Sequence, residues 1–154
     1  MTRLLFVCLG NICRSPAAEG VARAMAQARG LAVEIDSAGT GGWHAGDPPD
    51  PRMREAALRR GYDLSALRAR QVRRADFAAF DHILAMDADN LAALERARPA
   101  DARAALSLML SHADLPEREV PDPYYGGPQG FDHVLDLLEA AVAGLLDRLE
   151  AQAR

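Results

Sequence analysis

Short continuous apolar runs alternate along the chain with stretches whose apolar residues recur at helical spacing. "RLLFVCL" (3–9) is apolar without interruption and ends in turn-forming residues, the pattern of a strand covered on both faces. Ser15-Pro16 then opens a helix, with Ser15 as the expected cap; Val21, Met25 and Ala28 share one face and Gly30 stops it. "AVEIDSAGT" (32–40) reads as a second strand, and "GTGGWHAGDPPDP" (39–51) as a loop. Asp50-Pro51 starts a second helix that closes at Gly61. "DHILAMD" (81–87) is a third strand, a helix follows over 88–97, and "ALSLML" (105–110) is a fourth strand. Residues 112–130 form a long loop of the kind that often carries function. Phe131, Val134, Leu135, Leu138, Val142, Leu145, Leu146 and Leu149 lie on one stripe of a last helix. This alternation predicts an α/β domain with a parallel sheet. No repeat or linker interrupts it, so one domain is expected over 1–154.

Composition narrows the setting. No apolar run approaches the ~20 residues that span a bilayer, and a signal peptide at the N-terminus would have to run through Asn11 and Arg14. Two cysteines cannot make a disulfide framework, so a reducing, cytoplasmic location is expected. The net charge of −4 speaks against a nucleic-acid binder. Residues 52–74 depart from that balance, with eight arginines against Glu55 and Asp63, a local +6. Two readings stay open: a solvated helical face, or a field that attracts an anionic substrate.

The chemistry concentrates in "VCLGNICRSP" (7–16), which holds both cysteines. The first strand ends at Cys8, and ligands of open α/β sheets sit at the carboxyl ends of strands. Gly10 permits unusual torsions and Asn11 tolerates left-handed ones. A loop of Leu9, Gly10, Asn11, Ile12 and Cys13 can turn its N–H groups inward as an anion-binding nest. The helix starting near Ser15 adds its positive end, and Arg14 offers a fork for two oxygens of a phosphate. Such surroundings favour a Cys8 thiolate, a nucleophile placed under a bound phosphoryl group. A metal site is not expected, because His44, His82, His112 and His133 lack ligand-like spacing and there is no Cys-x-x-Cys. A nucleotide P-loop fails for want of Gly-Lys-Ser/Thr.

"VCLGNICRSP" together with "DPYY" (122–125) resembles the low-molecular-weight protein tyrosine phosphatases. "DSAGTGGWHAGDPPDPR", "ARQV" and "HILAMD" extend the likeness over nearly the whole chain. The resemblance implies a three-layer α/β fold: a central four-stranded parallel sheet flanked by helices on both faces. It implies hydrolysis of protein phosphotyrosine and aryl phosphates without a cofactor. Cys8 would take the phosphoryl group, Arg14 would hold its equatorial oxygens, and Asp122 would act as general acid and then base. Ser15 matches the hydroxyl that hydrogen-bonds the thiolate, and Asn11 the residue that holds the strained loop, with Ser37 among its partners. Cys13 matches the second loop cysteine, which in the family forms a reversible disulfide with the nucleophile. Trp43, Tyr124 and Tyr125 match the aromatic walls of a deep slot. The implied partner is a phosphotyrosine protein, a bacterial tyrosine kinase being one candidate; neither nucleic acid nor membrane is implied, and the protein should be mostly monomeric.

One position departs from the family pattern. Leu67 stands before "ARQ" where many relatives carry a histidine that steadies the Asn, which puts the stiffness of the loop in question. Arsenate reduction on a similar fold would need additional cysteines, and a non-enzymatic phosphate-binding module would need neither the nucleophile nor Asp122.

Overall fold

A computed structural model describes residues 1–153; the domain expected from the sequence runs to Arg154, which lies outside the described residues. The strands are β1 (Thr2–Cys8), β2 (Val33–Gly39), β3 (His82–Ala85) and β4 (Ala105–Leu108). All are parallel, in the order β2-β1-β3-β4. The helices are α1 (Arg14–Arg29), α2 (Pro51–Arg59), α3 (Asp76–Ala79), α4 (Ala88–Ala97) and α5 (Pro128–Gln152).

The unbroken apolar run of β1 is explained by burial on both faces. Leu4, Phe6 and Cys8 point into one core with Val21 of α1 and Val134, Leu138 and Val142 of α5. Leu5 and Val7 point into a second core with Phe77 of α3 and Leu94 of α4. The fold is therefore the three-layer, four-stranded arrangement that the sequence led us to expect. β1 pairs with β2 on one side and β3 on the other, so successive connections leave it in opposite directions. The resulting crevice opens at the carboxyl end of β1, where Cys8 sits.

Local details depart from the sequence reading in three places. The fourth strand stops at Leu108, and Met109–His112 winds into a 3₁₀ turn packed on α5. Helix α3 has four residues, too few to leave a periodic signature. Helix α1 is capped by Cys13 without any side-chain hydrogen bond, and Ser15 is already inside it. The Ser15 hydroxyl is turned to another partner, described below. Asp50 caps α2 as expected, accepting from the Arg52 N–H at 2.8 Å, and Asp87 caps α4 by accepting from the Asn90 N–H.

The end of β2 touches the loop that follows β1. A Cβ on Gly39 would lie 2.7 Å from the Leu9 carbonyl oxygen and 3.1 Å from the carbonyl carbon of Gly10. Both neighbours are backbone and cannot swing aside. Gly39→Ala is expected to lower stability by about 1–3 kcal/mol through overpacking and to displace the Leu9–Gly10 peptide. A denaturation midpoint unchanged from wild type would contradict this.

Candidate active site

Cys8 closes β1, and the chain then folds back on itself before entering α1 at Arg14. Asn11 makes this possible by adopting a left-handed backbone with φ of 58°, the sole non-glycine residue with positive φ among those described. Its side chain is buried and fully engaged. Asn11 Nδ2 donates to Ser15 Oγ at 2.8 Å and to Ser37 Oγ at 3.0 Å, and Oδ1 accepts from the Arg70 N–H at 3.0 Å.

The direction of each bond follows from chemistry. Glu19 is 3% exposed and bonded to Arg23 through Oε2, at 3.0 Å from Nε and 2.7 Å from Nη2. As a carboxylate it can only accept, so Ser37 donates to Glu19 Oε1 at 2.7 Å. The Ser37 oxygen is then free to accept from Asn11. Ser15 accepts the other amide proton of Asn11, and its own O–H has two acceptors in reach, Cys8 Sγ at 3.0 Å and the Ala38 carbonyl at 3.4 Å, of which the sulfur is the nearer. The donor directions thus run outward from the Asn11 amide, through Ser37 to the Glu19 carboxylate on one side and through Ser15 to the Cys8 sulfur on the other.

Leu67 takes no part in this relay. It packs against the core beside α1, and the charge that balances Glu19 comes from Arg23 on the same helix. The network about Asn11 is complete with leucine at that position.

Arg14 is 3% exposed and held from one end: Nη1 donates to Asp87 Oδ2 at 2.7 Å and to the Val120 carbonyl at 3.0 Å. Burial opposes its charge, yet Cys8 and Asp87 more than compensate and raise its pKa. Arg14 Nη2 lies 3.7 Å from Asp122 Oδ2. The Cys13 thiol is pushed strongly upward, first by burial and then by Asp50 and Cys8, so it stays protonated.

A cavity of about 410 Å³ rises from Cys8, Cys13 and Arg14, and the loop residues Leu9, Gly10 and Ile12 border it. Asp122, Trp43, Tyr124 and Tyr125 line it nearer the surface, with Trp43 72% and Tyr125 93% exposed against 3% for Cys8. The slot is therefore deep, with aromatic side chains at the entrance. Arg52 stacks on the Tyr124 ring at 5.2 Å and the Phe131 ring at 4.9 Å, which fixes one wall.

The arginine-rich segment resolves in favour of structure. Arg52 pairs with Asp50 and Arg59 with Glu55; Arg60 pairs with Asp132, Asp136 and Glu139, and Arg70 with Asp36 and Asp76. Most of the balancing carboxylates come from outside residues 52–74, which is why the segment looked so strongly positive by itself.

Cys8, Leu9, Gly10, Ile12, Cys13, Arg14, Trp43, Asp122, Tyr124 and Tyr125 meet at this cavity, and Asn11, Ser15 and Ser37 lie in the network below it. The sequence reading missed Asp87, Glu19 and His44. Asp87 stands at the end of "HILAMD", where a strand end meets a helix cap. Glu19 is an acid on the apolar face of α1, four residues after Ser15; that position was its signal. His44 lies over Gly10 and lines the pocket.

The pattern of the family described as low molecular weight phosphotyrosine protein phosphatase matches residues 3–154. The chain belongs to that family. It is an enzyme of the protein-tyrosine-phosphatase class, a hydrolase. A low molecular weight protein-tyrosine-phosphatase of Streptomyces coelicolor is 46% identical over 156 residues, covering 97% of this chain and 94% of that protein. The crystal structure of a protein tyrosine phosphatase from Entamoeba histolytica, with Hepes in its active site, superposes with a TM-score of 0.95 at 43% identity over 100% of both chains. That of DARP, drosophila arginine phosphatase, gives 0.91 at 30% identity, covering 97% of this chain and 98% of that one.

Strain and hydrogen bonding at Asn11 can be separated in this phosphatase. Asn11→Gly keeps the torsion and loses the bonds; Asn11→Ala loses both. Alanine is expected to be less stable than glycine by about 1–2 kcal/mol, the cost of left-handed backbone, and both variants should turn over slowly. Equal stability of the two in denaturant titrations would mean that the torsion is unstrained.

Proposed function

We propose that this phosphatase hydrolyses protein phosphotyrosine, and aryl phosphates generally, through a cysteinyl-phosphate intermediate. The observation that carries the reading is the Cys8 sulfur deep in the slot, hydrogen-bonded by Ser15 and adjoining Arg14 and Asp122. The Cys8 thiolate attacks phosphorus, the ester P–O bond breaks, and its electron pair leaves with the tyrosyl oxygen. Asp122 gives that oxygen a proton. Water then attacks the phosphocysteine, Asp122 takes a proton from it, and the thiolate departs as inorganic phosphate forms. Arg14 spends Nη1 on Asp87 and Val120, which leaves Nε and Nη2 for the equatorial oxygens of the transition state. The loop N–H groups from Leu9 to Cys13, with the start of α1, take the remaining charge.

The substrate group follows from the walls. Trp43, Tyr124 and Tyr125 offer flat apolar faces to an aryl ring whose length spans the slot. DARP is described as an arginine phosphatase, but a guanidinium substrate would gain from acidic or polar walls, and here the entrance is aromatic. Comparing a phosphotyrosine peptide with its phosphoarginine counterpart tests this: preference for phosphoarginine would overturn the aryl assignment. The physiological substrates are proposed to be phosphotyrosine proteins, a bacterial tyrosine kinase among them, met by a monomer in the cytoplasm. Two buried free cysteines, one of them the nucleophile, suit a reducing compartment.

Cys8→Ser is expected to abolish turnover while the fold persists, because an alkoxide is not available at neutral pH; appreciable activity would sink the mechanism. Asp122→Asn should lower the single-turnover phosphorylation rate for phosphotyrosine by about a hundredfold or more. Nitrophenyl phosphate, whose leaving oxygen needs no proton, should lose much less. The basic limb of the pH–rate profile should flatten. Equal losses for both substrates would remove Asp122 from the role of acid.

A further inference from the structure

The general acid stands on a loop with few anchors. Between residues 114 and 126, the hydrogen bonds that reach outside the loop, among those described, come from two adjacent residues. Val120 N–H donates to the Met86 carbonyl at 2.8 Å, and its own carbonyl accepts from Arg14. Glu119 Oε2 accepts from the Ala88 N–H at 2.7 Å. Ala88 is the first residue of α4, and its N–H is one of the donors that a helix start leaves without a partner in the helix.

Two carboxylates therefore share the start of α4. Asp87 uses Oδ1 for the Asn90 N–H and Oδ2 for Arg14. Glu119 takes the Ala88 N–H, and only Val120 and Pro121 separate it from Asp122. Proline fixes its own φ, so the link between anchor and acid is short and stiff. The position of helix α4 thus relates the phosphate-binding arginine to the acid that serves the leaving oxygen.

We propose that Glu119 is a positioning residue for catalysis: its grip on the start of α4 sets where the Asp122 carboxyl stands relative to the leaving group. Glu119 is solvent-exposed and touches neither the cavity nor the sulfur. It acts through the loop and leaves the nucleophile's surroundings alone. The Ala88 backbone N–H gives the bond a direction. The inference rests on the assignment of Asp122 as the acid.

Leaving-group dependence separates this role from simple support of the fold. Single-turnover phosphorylation is measured for phosphotyrosine and nitrophenyl phosphate with wild type, Glu119→Ala, Glu119→Gln, Asp122→Asn and the Glu119→Ala/Asp122→Asn double variant. Glu119→Ala should slow phosphotyrosine about ten- to a hundredfold, the upper figure being the loss that a misplacement of about 1 Å brings. It should slow nitrophenyl phosphate far less, and inhibition by inorganic phosphate should be unchanged. Glu119→Gln keeps an acceptor oxygen for the Ala88 N–H and should recover most of the rate. In the Asp122→Asn background the alanine change should add nothing. Equal slowing of both substrates by Glu119→Ala, no slowing of either, or a full further loss in the double variant overturns the proposal. If Asp122→Asn itself fails to discriminate between the substrates, the acid assignment falls and takes this proposal with it; if it discriminates and Glu119→Ala does not, only the role of Glu119 falls.

Discussion

The site depends on one buried amide. Asn11 holds a left-handed backbone between strand and helix, and its three hydrogen bonds reach α1, β2 and the segment at Arg70. Rotating that amide would set its oxygen against two hydroxyls and its NH₂ against a backbone donor. Such mismatches in a buried place cost more than the bonds themselves contribute. The left-handed torsion of the loop is therefore fixed by elements outside the loop itself. The Glu19–Arg23 pair extends the constraint by giving Ser37 a fixed acceptor. Without it the Ser37 hydroxyl could turn, and Asn11 would lose one of its two fixed acceptors.

Around that rigid half stands a second half built on different terms. Cys8, Asn11, Cys13 and Arg14 of the loop are buried, whereas Asp122, Tyr124 and Tyr125 lie on a long exposed segment. Arg14 joins the two, since it belongs to α1 and is gripped by Asp87 before α4 and by the Val120 carbonyl. The division suits the chemistry. The phosphoryl group demands fixed geometry, whereas the leaving group and its protein must enter and depart.

How much could be read in advance depended on whether the physics was local. β1 announced itself because burial on both faces leaves no polar position, and Asp50-Pro51 announced α2 because cap and first turn lie side by side. Cys8, Arg14 and Asn11 were legible because one short loop brings them together. Ser15 was read in two ways: the cap, a local inference from Ser-Pro, failed, while the contact with the Cys8 sulfur on β1 came from the family resemblance and is present. Asp87 and Glu19 were missed because each acquires its role from residues that are remote in sequence, Arg14 in one case and Ser37 in the other. The surplus of arginine over 52–74 left two readings open for the same reason, because Arg60 and Arg70 find their acids on α5, on β2 and at the first residue of α3. The strand read through Leu110 failed for a tertiary reason, the packing of the 3₁₀ turn against α5.

The grip of Asp87 on Arg14 has an electrostatic consequence. Asp87 already balances the charge of Arg14 before any substrate arrives. A phosphate dianion then meets little surplus of formal charge there, and the dipole at the start of α1 carries more of the attraction. The field of dipoles decays faster with distance than that of a free charge, so attraction is confined to the last few ångströms. Capture of the phosphoryl group should accordingly respond little to ionic strength, whereas the surrounding protein surfaces would govern how partners first meet.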